Sequence, residues 1–134
     1  MQVFTSLPIT SLYAAVLALF FLPITMRVAL YRGKVGIHVG HGENERLLRL
    51  NRGQQNFTET APMALLLLVL MEMAGASAPW LHTLGLMLTL GRISHYCQIT
   101  HIVQHLLFRG AGMLATLLVY LFAACWLLIN AANL

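Results

Sequence analysis

Residues 1–26 contain no charged side chain, and neither do residues 110–134. Long uncharged runs at both ends constrain the fold more than any motif does. A water-soluble domain coats its surface with roughly 25% charged residues, whereas this chain of 134 residues has 9% charged and 59% hydrophobic residues. That balance excludes a soluble globule. It also excludes a disordered chain, which is poor in apolar residues and rich in charge. Crossing a hydrocarbon core takes about 20 helical residues, and only a helix or a closed barrel satisfies its own backbone there. The apolar runs are rich in Leu, Ala and Met and lack the period-2 alternation of barrel strands. The expectation is an all-α, four-helix transmembrane bundle. One membrane domain covers 1–134, with helices near 5–31, 45–75, 80–104 and 108–131. The first helix lacks a basic leading segment and is expected to be a retained span, not a cleaved signal.

The eight basic residues set the orientation. Arg27, Arg32, Lys34, Arg46, Arg49 and Arg52 surround the first connection, and Arg92 and Arg109 flank the third. The second connection has none. The positive-inside rule then puts connections one and three in the cytoplasm and both termini outside. So few basic residues make no nucleic-acid surface. Gly33, Gly36, Gly40 and Gly42 are expected to loosen the first connection, and Ala78-Pro79-Trp80 to open the third helix.

The chemistry is concentrated in Asn44 to Pro62. At about 100° per residue, Glu45, Arg49, Arg52, Asn56 and Glu59 fall within roughly an 80° sector. The stripe begins in the charged connection and runs into the second helix. Ionisable groups near a bilayer face protein or a wet cavity, because exposure to lipid costs a few kcal/mol. Two readings fit. One is a solvated helix with arginines and glutamates paired at helical spacing. The other is a site for a zwitterionic ligand: arginines for carboxylates, a glutamate for an ammonium, and an asparagine that both donates and accepts.

These residues also carry a resemblance. Arg52-x-x-x-Asn56-x-x-Glu59-x-x-Pro62 follows Glu45-Arg46-Leu47-Leu48-Arg49 and precedes Met63-Ala64-Leu65-Leu66-Leu67-Leu68. Together they resemble the signature of the MAPEG family, the membrane-associated proteins in eicosanoid and glutathione metabolism. The likeness extends over essentially the whole chain and is nearest the small bacterial members, through the Gly-rich connection and the run Arg109-Gly110-Ala111-Gly112-Met113.

The resemblance implies a homotrimer in the bacterial inner membrane that binds glutathione between subunits and uses it as co-substrate. It implies a glutathione transferase or peroxidase acting on a hydrophobic small molecule, with no metal. Arg52 and Asn56 would hold the peptide and its carboxylates, with Arg49 from the same stripe, and Glu59 the ammonium. Arg32 would assist from an adjacent position, and Arg92 would make an ion pair or touch ligand. Arg109 would stand beside the thiol as the catalytic group. His95 and Tyr96 match the stretch where eicosanoid-metabolising members present two tyrosines, and Thr60 stands where family enzymes commonly have tyrosine. The family also includes a lipid-binding member without transferase activity, so a non-catalytic scaffold of the same fold is an alternative.

Other features point elsewhere. A small proton-coupled drug exporter would use an acidic group in helix one, which here is uncharged, leaving Glu59 as the substitute. His101 and His105 stand at i, i+4, a spacing that can hold zinc on a helix, but no carboxylate lies nearby in sequence. Glu72 lies off the polar stripe and is expected at the outer interface. Cys97 and Cys125 are expected to be unbridged helix residues.

Overall fold

Capping and turn residues decide where each helix begins and ends. The computed structural model describes residues 7–132. It contains α1 (Pro8–Val35), α2 (Glu45–Met73), α3 (Ala78–Ile99) and α4 (Leu106–Ala132), with no strand among the described residues. Pro8 occupies the first turn of α1, where its missing N–H costs nothing. The expected start at residue 5 lies outside the described residues. α1 runs on past the expected 31 and stops where Gly36 takes a left-handed φ of 69°. Gly33 is therefore helical. The change from apolar to basic composition marks the end of the greasy segment, not of the helix.

Asn44 caps α2, its Oδ1 accepting the Leu47 N–H at 2.9 Å. This leaves Glu45 in the first turn, where a carboxylate favours the helix dipole. α2 continues through Pro62 and ends just before Gly75, whose φ is 84°. α3 ends at Ile99, short of the expected 104. His101 adopts a φ of 58°, and the N–H groups of Ile102 and Val103 both donate to the Cys97 carbonyl. His101 and His105 thus share no helical face, and the spacing that suggested a zinc pair does not survive folding.

α2 and α3 each pack against all three other helices, with α1 and α4 on the flanks. α1, α2 and α4 are long and apolar enough to cross a membrane by length and composition. α3 carries polar groups along its inward face. Its Thr89, Arg92, His95 and Gln98 are buried among protein groups, not lipid. The flanking helices show the reverse pattern, exposing Leu19, Leu22, Met26, Leu30, Leu114, Leu121 and Leu128. Exposed apolar surface on this scale belongs against hydrocarbon. The core is built from Leu17, Ile24, Phe57, Ala61, Leu68, Met71, Leu84, Leu88, Val119 and Ala123.

Two features of the packing place the polar groups. α3 and α4 touch backbone to backbone, since a Cβ on Gly112 would lie 2.5 Å from the Gly91 carbonyl and 2.9 Å from the His95 nitrogen. Small residues permit such crossings in membrane bundles. At the far end of the bundle, Glu72 accepts from the Ile9 N–H (3.0 Å) and the Thr10 N–H (2.8 Å). Glu72 therefore caps the N-terminus of α1 from a different helix.

Candidate functional site

The polar stripe of α2 lines a cleft. Glu45, Arg49, Arg52, Asn56 and Glu59 face Leu106, Arg109, Gly110 and Met113 of α4, with His95 and Ile99 of α3 between them. The cleft volume is ≈ 790 Å³, within the roughly 300–1,000 Å³ typical of small-molecule sites. The stripe extends about 21 Å along the helix at 1.5 Å per residue. Its lining brings together three guanidinium groups, two carboxylates and one primary amide beside Gln55, against apolar walls from Leu48, Ile99, Leu106 and Met113.

α3 fixes the position of Arg109. The Ser94 hydroxyl donates to the Phe108 carbonyl at 2.8 Å, and His95 Nδ1 lies 3.2 Å from the Arg109 carbonyl. A carbonyl only accepts, so Nδ1 carries the hydrogen and Nε2 of the neutral ring is an acceptor. The first turn of α4 is thereby pegged to α3 one turn before the Gly91–Gly112 crossing. The Arg109 side chain itself is exposed at the mouth of the cleft.

Arg92 lies behind the cleft wall, 1% exposed. One terminal nitrogen donates to Asn56 Oδ1 at 2.7 Å and to Thr60 Oγ1 at 2.8 Å, and the other to the Gly112 carbonyl at 3.0 Å. All three acceptors are neutral, and Nε has no partner. In place of the expected ion pair, Arg92 forms a hydrogen-bonded brace joining α2, α3 and α4. Thr60 suits the brace. Its hydroxyl donates to the Asn56 carbonyl at 2.6 Å, and its own carbonyl accepts from Tyr120. A short hydroxyl here accepts the guanidinium where a tyrosine ring would occupy its space.

Of the residues singled out from sequence, Glu45, Arg49, Arg52, Asn56, Glu59, His95 and Arg109 meet in this cleft. Arg32, Arg92 and Tyr96 do not line it within one chain. Arg32 donates to the carbonyls of Ile37, His38 and Gly40 and to Asn51 Oδ1, closing the α1–α2 connection. Tyr96 faces α1: its ring packs on Phe20 and its hydroxyl accepts from Arg27 at 3.1 Å. Gln55 was missed, although its helical angle lies only about 60° from Arg52. The brace through Thr60 and Gly112 had no local signal, because its partners lie 20 and 32 residues from Arg92.

Comparison with known proteins shows the family. The sequence profile of the MAPEG family matches residues 10–129, nearly the whole chain and all of the cleft. The chain belongs to the MAPEG family. It is 31% identical over 121 residues to the inner membrane protein YecN of Escherichia coli K12, covering 88% of this chain and 91% of the relative. The same protein from Escherichia coli O6:H1 matches equally. No solved structure gives a significant match. As a MAPEG protein, the chain is a helical membrane bundle, and the matched residues include the charged wall of this cleft.

Proposed function

We propose that this protein binds glutathione in the α2–α4 cleft and transfers it to hydrophobic electrophiles dissolved in a bacterial inner membrane. The observation that carries this reading is the convergence of Arg49, Arg52, Asn56, Glu59 and Arg109 on one cavity. Glutathione has two carboxylates, one ammonium, two amides and a thiol. Arg49 and Arg52 suit the carboxylates, since guanidinium–carboxylate pairs are among the stronger hydrogen-bonded contacts. Glu59 suits the ammonium. Asn56 offers its amide hydrogens to a carboxylate or carbonyl, because its oxygen already accepts from Arg92.

Arg109 is the group that activates the thiol. A free thiol has a pKa near 8.5, so only a few per cent is thiolate at neutral pH. A guanidinium beside the sulfur favours the anion, and each unit of lowering is worth about 1.4 kcal/mol. The thiolate sulfur then attacks an electrophilic carbon, forming a C–S bond, while the leaving group departs with its electron pair. Reduction of a hydroperoxide, with a second glutathione as final reductant, uses the same thiolate. The electrophile arrives from the bilayer along the exposed leucines of α4. Assembly as a homotrimer would close the open side of the cleft with a neighbouring chain.

Calorimetric titration of the purified protein with glutathione tests the reading. Saturable binding supports it, and absence of binding rejects it. Binding without conjugation of a model electrophile would instead assign the non-catalytic role.

A further inference from the structure

At the α1–α2 loop end of the bundle, a second hollow of ≈ 260 Å³ opens between these helices. It is lined by Arg27, Leu30, Tyr31, Lys34, Arg46 and Leu50, and shares no residue with the cleft. Half of its lining is cationic and none of it is acidic. The contacts that hold the cations are neutral ones. Arg27 donates to the Tyr96 hydroxyl, and the Arg46 guanidinium lies 4.9 Å from the centre of the Tyr31 ring. Such contacts orient a positive group without neutralising it.

The surface leading to this hollow is apolar and regular. Leu12, Val16, Leu19, Pro23, Met26 and Leu30 follow one another along α1 at alternating steps of four and three. At about 100° per residue they occupy one sector of roughly 80°. Pro23 is exposed, and the other five are between 39 and 70% exposed. The next step of four is Lys34. A greasy stripe about 27 Å long therefore ends on a cluster of unneutralised cations.

We propose that the Arg27–Lys34–Arg46 hollow binds the headgroup phosphate of an anionic phospholipid, whose acyl chain lies along the Leu12–Leu30 stripe. Guanidinium groups recognise phosphate oxygens through paired hydrogen bonds. Basic hollows between membrane helices favour anionic headgroups. A zwitterionic headgroup brings its own cation into a site that already holds three positive groups and no carboxylate. A free phosphate ion would use only the cations, whereas a lipid uses both the cations and the apolar stripe that leads to them, so the lipid is the better match.

Native mass spectrometry of the full-length protein tests this site, with phosphatidylglycerol and phosphatidylcholine of identical chains offered in equal amounts. The expected result is preferential retention of phosphatidylglycerol. In Lys34→Gln and Arg46→Gln the preference should fall roughly 5-fold for each cation removed, and Lys34→Arg should retain it. Both positions are exposed, so these changes leave the fold intact. Equal retention of the two lipids by the unaltered protein overturns the proposal, as does an unchanged preference in the double variant. Displacement of the lipid by inorganic phosphate would reassign the hollow to a small anion. Loss of oligomer in the double variant would reassign the face to a second copy of the chain.

Discussion

The Arg92 guanidinium donates to Asn56 Oδ1 over 2.7 Å and thereby decides which end of that amide the cleft meets. A guanidinium has no acceptor, so the amide oxygen must turn inward and the NH₂ outward. Asn56 is consequently a donor towards any guest. Asn56→Asp should weaken glutathione binding at least about 10-fold, because an acceptor replaces a donor beside ligand carboxylates, whereas Asn56→Ala should cost only about 1 kcal/mol. Calorimetry on both variants checks the order, and equal losses would show that the amide's polarity is irrelevant.

Arg52→Ala and Glu59→Ala should each weaken glutathione binding by more than about 1 kcal/mol, as expected when one partner of a charge-assisted bond is removed. Titration curves that coincide with the parent's for both variants would eliminate this cleft as the glutathione site.

Arg109→Ala should leave much of the affinity in place and reduce the thiolate fraction of bound glutathione. Ultraviolet thiolate absorbance reads this directly. An unaltered signal would move the activating role to another residue.

Gly112→Ala should destabilise the bundle by about 1–3 kcal/mol, the usual cost of overpacking. Its new methyl would meet the Gly91 carbonyl and the His95 backbone, and relieving that contact separates α3 from α4. A thermal unfolding midpoint matching the parent's would show that the two helices can part freely.

Glu72→Ala should cost about 1–2 kcal/mol, since it leaves two first-turn N–H groups of α1 without their anionic acceptor. Glu72→Gln should recover part of this by keeping one acceptor oxygen. Thermal unfolding in detergent separates the two variants, and equal midpoints for all three proteins would remove the cap from the account.

What could be read from the sequence was whatever depended on local periodicity. The 4-and-3 steps from Glu45 to Glu59 place five groups on one helix face, and the uncharged runs mark the helical, membrane-embedded class. Terminations that depend on backbone conformation were less visible. Gly33 and Gly36 look alike in composition, yet only Gly36 takes the left-handed turn, and His101 ends α3 with nothing nearby to announce it. Long-range polar pairings were hidden for a different reason. Arg92 reads as a lone charge in a span, and Thr60 as a missing tyrosine, until folding brings Asn56, Thr60 and Gly112 around one guanidinium. Arg32 and Tyr96 were placed at the site by resemblance alone; within one chain their hydrogen bonds go to the α1–α2 connection and to Arg27.

The Glu72 contact also determines which parts of the bundle can move. With Arg32 tied to Asn51 at one membrane face and Glu72 tied to α1 at the other, the first two helices form a hairpin clasped at both extremities. Shear between them requires breaking charged bonds at one end or the other. Freedom to move therefore falls to the second half of α4, which past Tyr120 leans on its neighbours mainly through hydrocarbon and the Trp80–Phe122 stack.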